Sequence, residues 1–348
     1  MLDDLKLIHM RDGKDALGIA QKQWQQYKYE FNFSWTPKNK INKIVFAGMG
    51  GSGLAAKTYK DWLKFDVPFE IIQDYDLPEY IDSNTLLIVS SYSGNTEETL
   101  SIFNQATKED LNEIKKPLLV VITQGGKLEE LAKQQNIPII LLPTGFQPRM
   151  TLGYQLRALC EIFEACNFNK GSLEELSKSA DWLKNKLEQW EPLVPTNKND
   201  AKKLALDIIG KSVIIYSSIK FSSVAYKWKI SFNENAKSLA WCNQLPEFNH
   251  NEFIGWTSQP VNKPFSIIDI RSSLDNQQTK KRFEISEQLL SGIRPAPEII
   301  ELEGESKLQQ ILWGIGLGDF LTIYCAILGG NDPTTIDIIE EFKKRLIQ

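Results

Sequence analysis

Five serine and threonine side chains lie close together in the stretch S-S-Y-S-G-N-T-E-E-T at residues 90–99. The stretch follows an apolar run at 86–89 that predicts a buried strand, and it begins a helical segment. Hydroxyls of Ser91, Ser93 and Thr96 can donate to phosphate oxygens, while Gly94 lets the backbone turn its amides inward. Serine and threonine also cap helices, which is the alternative explanation. So many hydroxyls beside a second, glycine-rich loop predict a site for one phosphate group.

The glycine-rich loop, G-M-G-G-S-G at residues 48–53, follows the first apolar run of the predicted sheet and precedes a helix. Its spacing fits the G-x-G-x-x-G fingerprint of dinucleotide folds, with Asp74 near the position of a ribose-binding acid. Phosphate at a helix N-terminus needs only small residues and free amides, so this fingerprint has low specificity. A dinucleotide fold does not require the hydroxyl stretch. The loop that contains Gly51 and Ser52 is therefore expected beside the hydroxyl stretch.

A carboxylate and an imidazole occur in two polar stretches of the second half, N-E-N-A-K at 233–237 and P-E-F-N-H-N-E at 246–252. Glu234 and His250 are of the types that would interconvert an aldose phosphate and a ketose phosphate. That chemistry opens the sugar ring by one proton transfer and moves a proton between C2 and C1 by another. Glu234 could instead be a solvated carboxylate at a helix end, and His250 a turn residue between asparagines. The pattern alone leaves both interpretations open.

The elements that must position these groups are predicted from short apolar runs that alternate with helical stretches. Five runs precede residue 150, at residues 44–47, 69–72, 86–89, 118–122 and 137–141. Three follow residue 200, at residues 213–216, 265–268 and 298–301. The second set is a weaker copy of the first. We predict an α/β fold with two doubly wound parallel-sheet domains and connecting helices. The predicted segments are a helical arm (1–35), a domain with the phosphate loops (36–150), connecting helices (151–200) and a domain with the C-terminal helices (201–348).

Composition excludes several classes of function. A net charge of −4 gives no electrostatic reason to expect nucleic acid as a partner. No run approaches the roughly 18 apolar residues of a membrane span, so neither export nor a membrane partner is expected. The four cysteines are scattered, which predicts free thiols in a reduced cytoplasm. Two histidines are too few for a histidine-rich metal site, and no metal or other cofactor is predicted.

The two phosphate loops together resemble the sugar isomerase (SIS) domain family, whose members bind phosphosugars. N-E-N-A-K followed by P-E-x-N-H-N-E is similar to the bifunctional phosphoglucose/phosphomannose isomerases, a branch with two SIS domains. The resemblance covers nearly the whole chain and implies phosphosugar contacts through Ser52, Ser91, Ser93 and Thr96. It also implies Glu234 as the base that transfers the C2/C1 proton. His250 is implied as a ring-opening group, supplied by the other subunit of a homodimer.

The same resemblance implies catalytic roles for two further residues. The C-terminal stretch I-E-E-F-K-K-R-L resembles the family ending I-x-x-L-K-x-x-L, with phenylalanine in place of leucine, and implies Lys343 as a ring-opening lysine. Its neighbour Lys344 is the alternative, and basic residues in a last helical turn also suit the helix dipole. The Q-P-R turn at 147–149 implies Arg149 as a cation that stabilises the developing negative charge. The alternative for Arg149 is a surface arginine.

The expected function is that of a cytoplasmic, metal-independent isomerase. It would convert glucose 6-phosphate, and also mannose 6-phosphate, to fructose 6-phosphate through a cis-enediolate. The family's hydroxyl residue for accepting both epimers does not align, because Ile336 stands where its spacing from Lys343 would place it. The alternatives are a non-catalytic phosphosugar sensor and a dinucleotide-dependent oxidoreductase.

Overall fold

The structure is a computed structural model that describes residues 1–258 and 264–346. The chain divides into two compact units: the first comprises Gln23–Asp181, and the second comprises Met1–Lys22 together with Trp182–Gln348. Each unit holds one parallel sheet with flanking helices, which confirms the predicted α/β fold. The four-segment division of the chain stays a prediction.

The first 35 residues are helical only in part. Helices α1 (Leu5–Arg11) and α2 (Ala16–Gln26) are followed by irregular backbone up to residue 42. The expectation of a helical arm over 1–35 is therefore wrong for residues after Gln26. The aromatic residues there pack against one another, as the edge-to-face pair of Tyr29 and Phe31 shows.

The five strands of the first unit all coincide with predicted apolar runs. They pair in parallel in the order β2-β1-β3-β4-β5 and comprise β1 (Lys43–Ala47), β2 (Phe69–Ile72), β3 (Thr85–Ser91), β4 (Leu118–Thr123) and β5 (Ile139–Leu141). Every residue of the central strand β3 is buried, as expected where both faces of a parallel sheet are covered. The helices are α3 (Gly50–Trp62), α4 (Glu97–Ala106), α5 (Gly126–Gln134), α6 (Leu152–Ala165) and α7 (Ser172–Leu187), of which α7 continues into the second unit.

The strand order of this sheet brings the two predicted phosphate loops together. The chain goes from β1 to β2 in one direction and then to β3 on the other side of β1, so the winding direction reverses between β1 and β3. Open parallel sheets bind ligands outside the carboxyl ends of their strands at such a reversal. Residues 48–53 follow β1, and residues 90–99 include the end of β3 and the start of α4. Both loops therefore lie at this position.

The second unit repeats the arrangement with four strands. They pair in parallel in the order β7-β6-β8-β9 and comprise β6 (Ser212–Ser218), β7 (Ala240–Leu245), β8 (Phe265–Arg271) and β9 (Pro297–Glu301). Strand β7 was not predicted, because Asn243 and Gln244 interrupt the apolar residues of A-W-C-N-Q-L and most of its side chains are partly exposed. The helices are α8 (Asp200–Ile208), α9 (Ser222–Ser231), α10 (Glu252–Gly255), α11 (Gln277–Leu289), α12 (Lys307–Leu328) and α13 (Asp337–Leu346).

The expectation that no run approaches the length of a membrane span is wrong for helix α12. Its 22 residues are long and apolar enough to cross a membrane by length and composition. However, 94% of its apolar window is buried inside the protein. A helix that is apolar on all sides and covered in this way is a core helix.

Candidate active site

Three hydroxyls of the 90–99 stretch, those of Ser91, Ser93 and Thr96, contact one another. The Ser91 and Thr96 hydroxyl oxygens lie 2.8 Å apart, and those of Ser91 and Ser93 lie 3.5 Å apart. Thr96 occupies the N-cap position of α4, yet its side chain accepts no hydrogen bond from the helix amides. The capping alternative is therefore wrong for Thr96. The hydroxyls form a polar cluster before the positive end of a helix, which is where an anion binds well.

Gly94 gives this loop its shape. Its φ of +69° is in the left-handed region, and a Cβ at this position would overlap the carbonyl oxygen of Gly125. Only glycine fits here without moving the backbone. The Gly94 amide donates to the Ser91 hydroxyl oxygen over 3.1 Å, so the loop turns back on its own serine.

The glycine-rich loop joins the hydroxyl cluster through two contacts. The Ser52 hydroxyl oxygen accepts a hydrogen bond from the Tyr92 amide over 3.2 Å. A Cβ at Gly51 would lie 3.0 Å from the carbonyl carbon of Pro148, so the Q-P-R turn packs directly on the loop. Arg149 in that turn is 1% exposed, and the alternative of a surface arginine is wrong. Because arginine stays protonated, Arg149 supplies a fixed positive charge inside the first unit.

Glu234 lies in a widened helical turn, because the helix that begins as α9 continues as a π-helix over Phe232–Ala236. The residues on either side are anchored. Asn233 accepts a hydrogen bond from the Ala240 amide at the start of β7 over 2.9 Å, and the Asn235 side chain donates to the Thr322 hydroxyl of α12 over 3.0 Å. Glu234 itself is half-buried. The backbone at Glu234 is therefore held between two anchored neighbours.

Lys237 ends this turn, and the sequence analysis assigned it no role. Its φ of +54° is left-handed, and its ammonium donates to the carbonyls of Glu234 and Asn235 over 2.9 and 3.3 Å. It also donates over 2.6 Å to the carbonyl of Asp332, which precedes α13. A cation at a helix C-terminus satisfies carbonyls that have no partner in the helix. No sequence signal marks this frame, because its partners Thr322 and Asp332 are distant in the chain.

His250 is exposed at the end of a 3₁₀ turn, Glu247–His250, within a frame of bonded polar residues. The Asn249 side chain donates to the Ser286 hydroxyl of α11 over 2.9 Å. Glu252 accepts hydrogen bonds from the side chains of Tyr216 and, over 2.7 Å, Asn243. The polar residues on both sides of His250 thus fix the segment to the sheet and to α11, and the imidazole faces solvent.

Glu234 and His250 lie on opposite faces of the second sheet. The connection from β6 to β7 runs through α9, and the connection from β7 to β8 runs back through residues 246–258. Right-handed connections that run in opposite directions cover opposite faces. The contacts agree, because α9 packs on α12 whereas the His250 segment packs on α11. Glu234 also lies near the start of β7, where its neighbour Asn233 accepts from the Ala240 amide, whereas His250 follows the end of that strand, so the length of β7 separates the two groups within one chain.

Lys343 and Lys344 lie on α13, of which every residue is exposed. The apolar residues of this helix form one row, at Ile338, Ile339, Phe342 and Leu346. At about 100° per residue, Lys343 borders this row and Lys344 lies on the opposite side of the helix. Among residues 1–258 and 264–346, no cluster of three or more histidine, cysteine, aspartate or glutamate side chains could hold a metal ion.

Comparison with known proteins gives the family. A family model described as the bacterial phospho-glucose isomerase C-terminal SIS domain matches residues 197–346. A bifunctional phosphoglucose/phosphomannose isomerase of Caldicellulosiruptor bescii is 35% identical over 88% of this chain and 90% of the relative. An enzyme of the same name from Aquifex aeolicus is 35% identical over 87% of this chain and 90% of its own.

The chain belongs to the bifunctional phosphoglucose/phosphomannose isomerase family. The predicted membership is confirmed, and so is the prediction that the chain is an isomerase. The fold agrees: a crystal structure of a hypothetical protein from Thermus thermophilus superposes with a TM-score of 0.70 at 16% identity. The superposition covers 99% of this chain and 91% of that one. At this identity the likeness shows the fold alone.

Proposed function

We propose that the chain is a cytoplasmic isomerase that converts glucose 6-phosphate and mannose 6-phosphate to fructose 6-phosphate without a metal ion. The observation that carries the proposal is the anchoring of Glu234 between Asn233 and Asn235. A phosphosugar sensor needs the hydroxyl cluster but has no use for a carboxylate held in a fixed position. A base that removes a proton from carbon does need one, because proton transfer depends on geometry.

The proposed reaction has two stages. The hydroxyls of Ser52, Ser91, Ser93 and Thr96, with the Gly51 amide, bind the phosphate group. His250 and Lys343 transfer protons at O5 and O1, which breaks the C1–O5 bond and gives the open-chain aldehyde.

Glu234 then removes the C2 proton, and the electron pair moves to form the cis-enediolate. Within the enediolate the O2 proton passes to O1, and the same carboxyl group returns its proton to C1, which leaves the ketone at C2 and a hydroxyl at C1. The guanidinium of Arg149 stabilises the negative charge of the enediolate. No proton or electron is gained or lost overall, which agrees with a reaction that needs no redox cofactor.

A homodimer is part of the proposal. Glu234 and His250 must both reach one sugar ring, yet edge strand β7 separates them within a chain. A second copy that supplies His250 removes this difficulty. In a twofold dimer both sites are then completed in the same way, because residue i meets residue j and residue j meets residue i.

The surface beside His250 suits such a contact. A groove of about 430 Å³ between the His250 segment and α11 is lined by Asn249, Phe253, Ile285 and Leu289, among others. Ile285 and Leu289 are 40% and 60% exposed. Exposed apolar side chains in a groove next to His250 are typical of a protein interface. We assign this groove to the second copy.

The decisive experiment is incubation of the protein with glucose 6-phosphate or mannose 6-phosphate in the presence of a chelator, with measurement of fructose 6-phosphate. We expect turnover of both sugars. Thermal stabilisation by these sugars without turnover would instead identify a sensor. Stabilisation by NAD or NADP would favour the oxidoreductase.

The Glu234→Gln variant tests the base directly. We expect it to lose turnover and keep substrate binding, since glutamine preserves the shape but cannot accept the proton. A near-normal kcat in the same assay would rule out Glu234 as the base.

A further inference from the structure

Polar contacts connect the helix that carries Glu234 to core helix α12 at three levels. The Trp228 indole N–H donates to the Gly314 carbonyl over 2.7 Å. One turn along, the Lys227 ammonium lies 2.6 Å from an Asp319 carboxylate oxygen. Beyond that, the Asn235 side chain donates to the Thr322 hydroxyl over 3.0 Å. Glu234 lies between the second and third levels, directly before Asn235.

The middle contact is a buried ion pair. The side chains of Lys227 and Asp319 are 1% and 13% exposed. The Ser231 hydroxyl completes the group, because it accepts from Lys227 over 3.0 Å and donates to Asp319 over 3.4 Å. Two charges lose their hydration here, and an apolar pair of similar volume often gives equal or greater stability. Stability alone therefore does not explain why charged residues occupy this position.

Polar contacts add to the apolar packing that orients α9 on its neighbour. Helix α12 is buried on all sides, so no apolar stripe alone fixes the rotation of α9 against it. The two helices also approach closely, since a Cβ at Gly318 would overlap the Trp228 indole nitrogen. Directional polar contacts define one register and one rotation where an apolar surface would allow several.

We infer that Lys227, Asp319 and Thr322 are positioning residues for Glu234. They act through the helix backbone and through Asn235, and they fix the direction in which the carboxylate projects. The inference rests on the proposed function, in which Glu234 is the base. A displacement of about 1 Å at a reacting group lowers a rate on the order of 10²-fold, so a small rotation of this helix has a measurable effect.

The test replaces the ion pair by apolar residues in the double variant Lys227→Met/Asp319→Leu. Neither charge is then left without a partner, so we expect the protein to stay folded, with a melting temperature close to that of the wild type. We expect kcat for glucose 6-phosphate to fall about 10- to 100-fold, with KM changed less than about threefold. The kinetic isotope effect of the substrate deuterated at C2 should rise, because proton transfer becomes more rate-limiting. A merely structural role would not move this quantity.

Two further variants serve as controls. Lys229→Met removes a positive charge from the same helix but not from the ion pair, and its kcat should stay within about twofold of the wild type. Lys227→Arg keeps the charge and should retain most of the activity. Should the double variant fail to fold, Thr322→Val removes only the hydroxyl that accepts from Asn235. We expect the same fall in kcat and rise in isotope effect from it.

A folded double variant, or a folded Thr322→Val variant, with unchanged kcat and isotope effect would overturn the inference. This outcome differs from failure of the proposed function. If the wild-type protein forms no fructose 6-phosphate, or if Glu234→Gln is active, the proposed base itself is wrong.

Discussion

Mixing two inactive variants tests whether His250 acts on the partner's substrate. The variants are Glu234→Gln, which keeps the histidine, and His250→Ala, which keeps the carboxylate. The structure motivates the test, because the two residues lie on opposite faces of a sheet within one chain. Each variant alone forms dimers in which both sites lack one of the two groups.

The expected recovery follows from the composition of the mixed dimer. If each site takes Glu234 from one chain and His250 from the other, a mixed dimer has one site with both defects and one intact site. Random association of equal amounts makes about half of all dimers mixed. The mixture should therefore reach about one quarter of the wild-type activity per chain.

The assay is fructose 6-phosphate formation after the two variants have been denatured together and refolded, or after co-expression with different tags. Each variant treated alone gives the baseline, including any slow ring opening without His250. If both groups act within one chain, no intact site can form, and the mixture would show only the mean of the two baselines. That result would refute the shared site, provided that tag capture shows mixed dimers.

Three other predictions follow from the described contacts. Gly94→Ala should raise KM for the sugar phosphate and lower the melting temperature, because residue 94 has a φ of +69° and its new Cβ would overlap the Gly125 carbonyl oxygen. Steady-state kinetics and calorimetry measure the two effects. Lys343→Ala should lower kcat at least about tenfold while Lys344→Ala leaves it nearly unchanged, since only Lys343 borders the apolar row of α13; equal effects would count against the assignment. Ile285→Glu should shift the protein to a monomer in sedimentation and abolish activity; an active dimer would place the interface elsewhere.

Much of the fold could be predicted from the sequence, because buried parallel strands appear as continuous apolar runs. All five strands of the first sheet and three of the second were found this way. Strand β7 was missed because Asn243 and Gln244 interrupt its apolar residues, which its partly exposed side chains tolerate. The helix of α12 could be predicted, but its likeness to a membrane span in length and composition was missed because Asp319 interrupts its apolar residues. That charge is tolerated in the core since Lys227 pairs with it.

The meeting of the two loops could be predicted from the sequence, but the supports of Glu234 could not. The hydroxyl and glycine loops are local in sequence, and their meeting follows from the reversal between β1 and β3. The supports of Glu234 come from Thr322 and Asp332, which are more than 85 residues away in the chain. No spacing rule connects such partners, because the fold alone decides which helix lies beside which. The burial of Arg149 likewise depends on tertiary contacts.

The phosphate loops contain no basic side chain, either in residues 48–53 or in residues 90–99. Hydroxyls and amides recognise phosphate by the direction of their hydrogen bonds, whereas exposed lysines recognise it mainly by charge, which dissolved salt screens. Binding through such loops depends little on ionic strength. The fraction of this protein that is occupied by its substrate would thus stay nearly constant in a cell whose salt content changes with growth conditions.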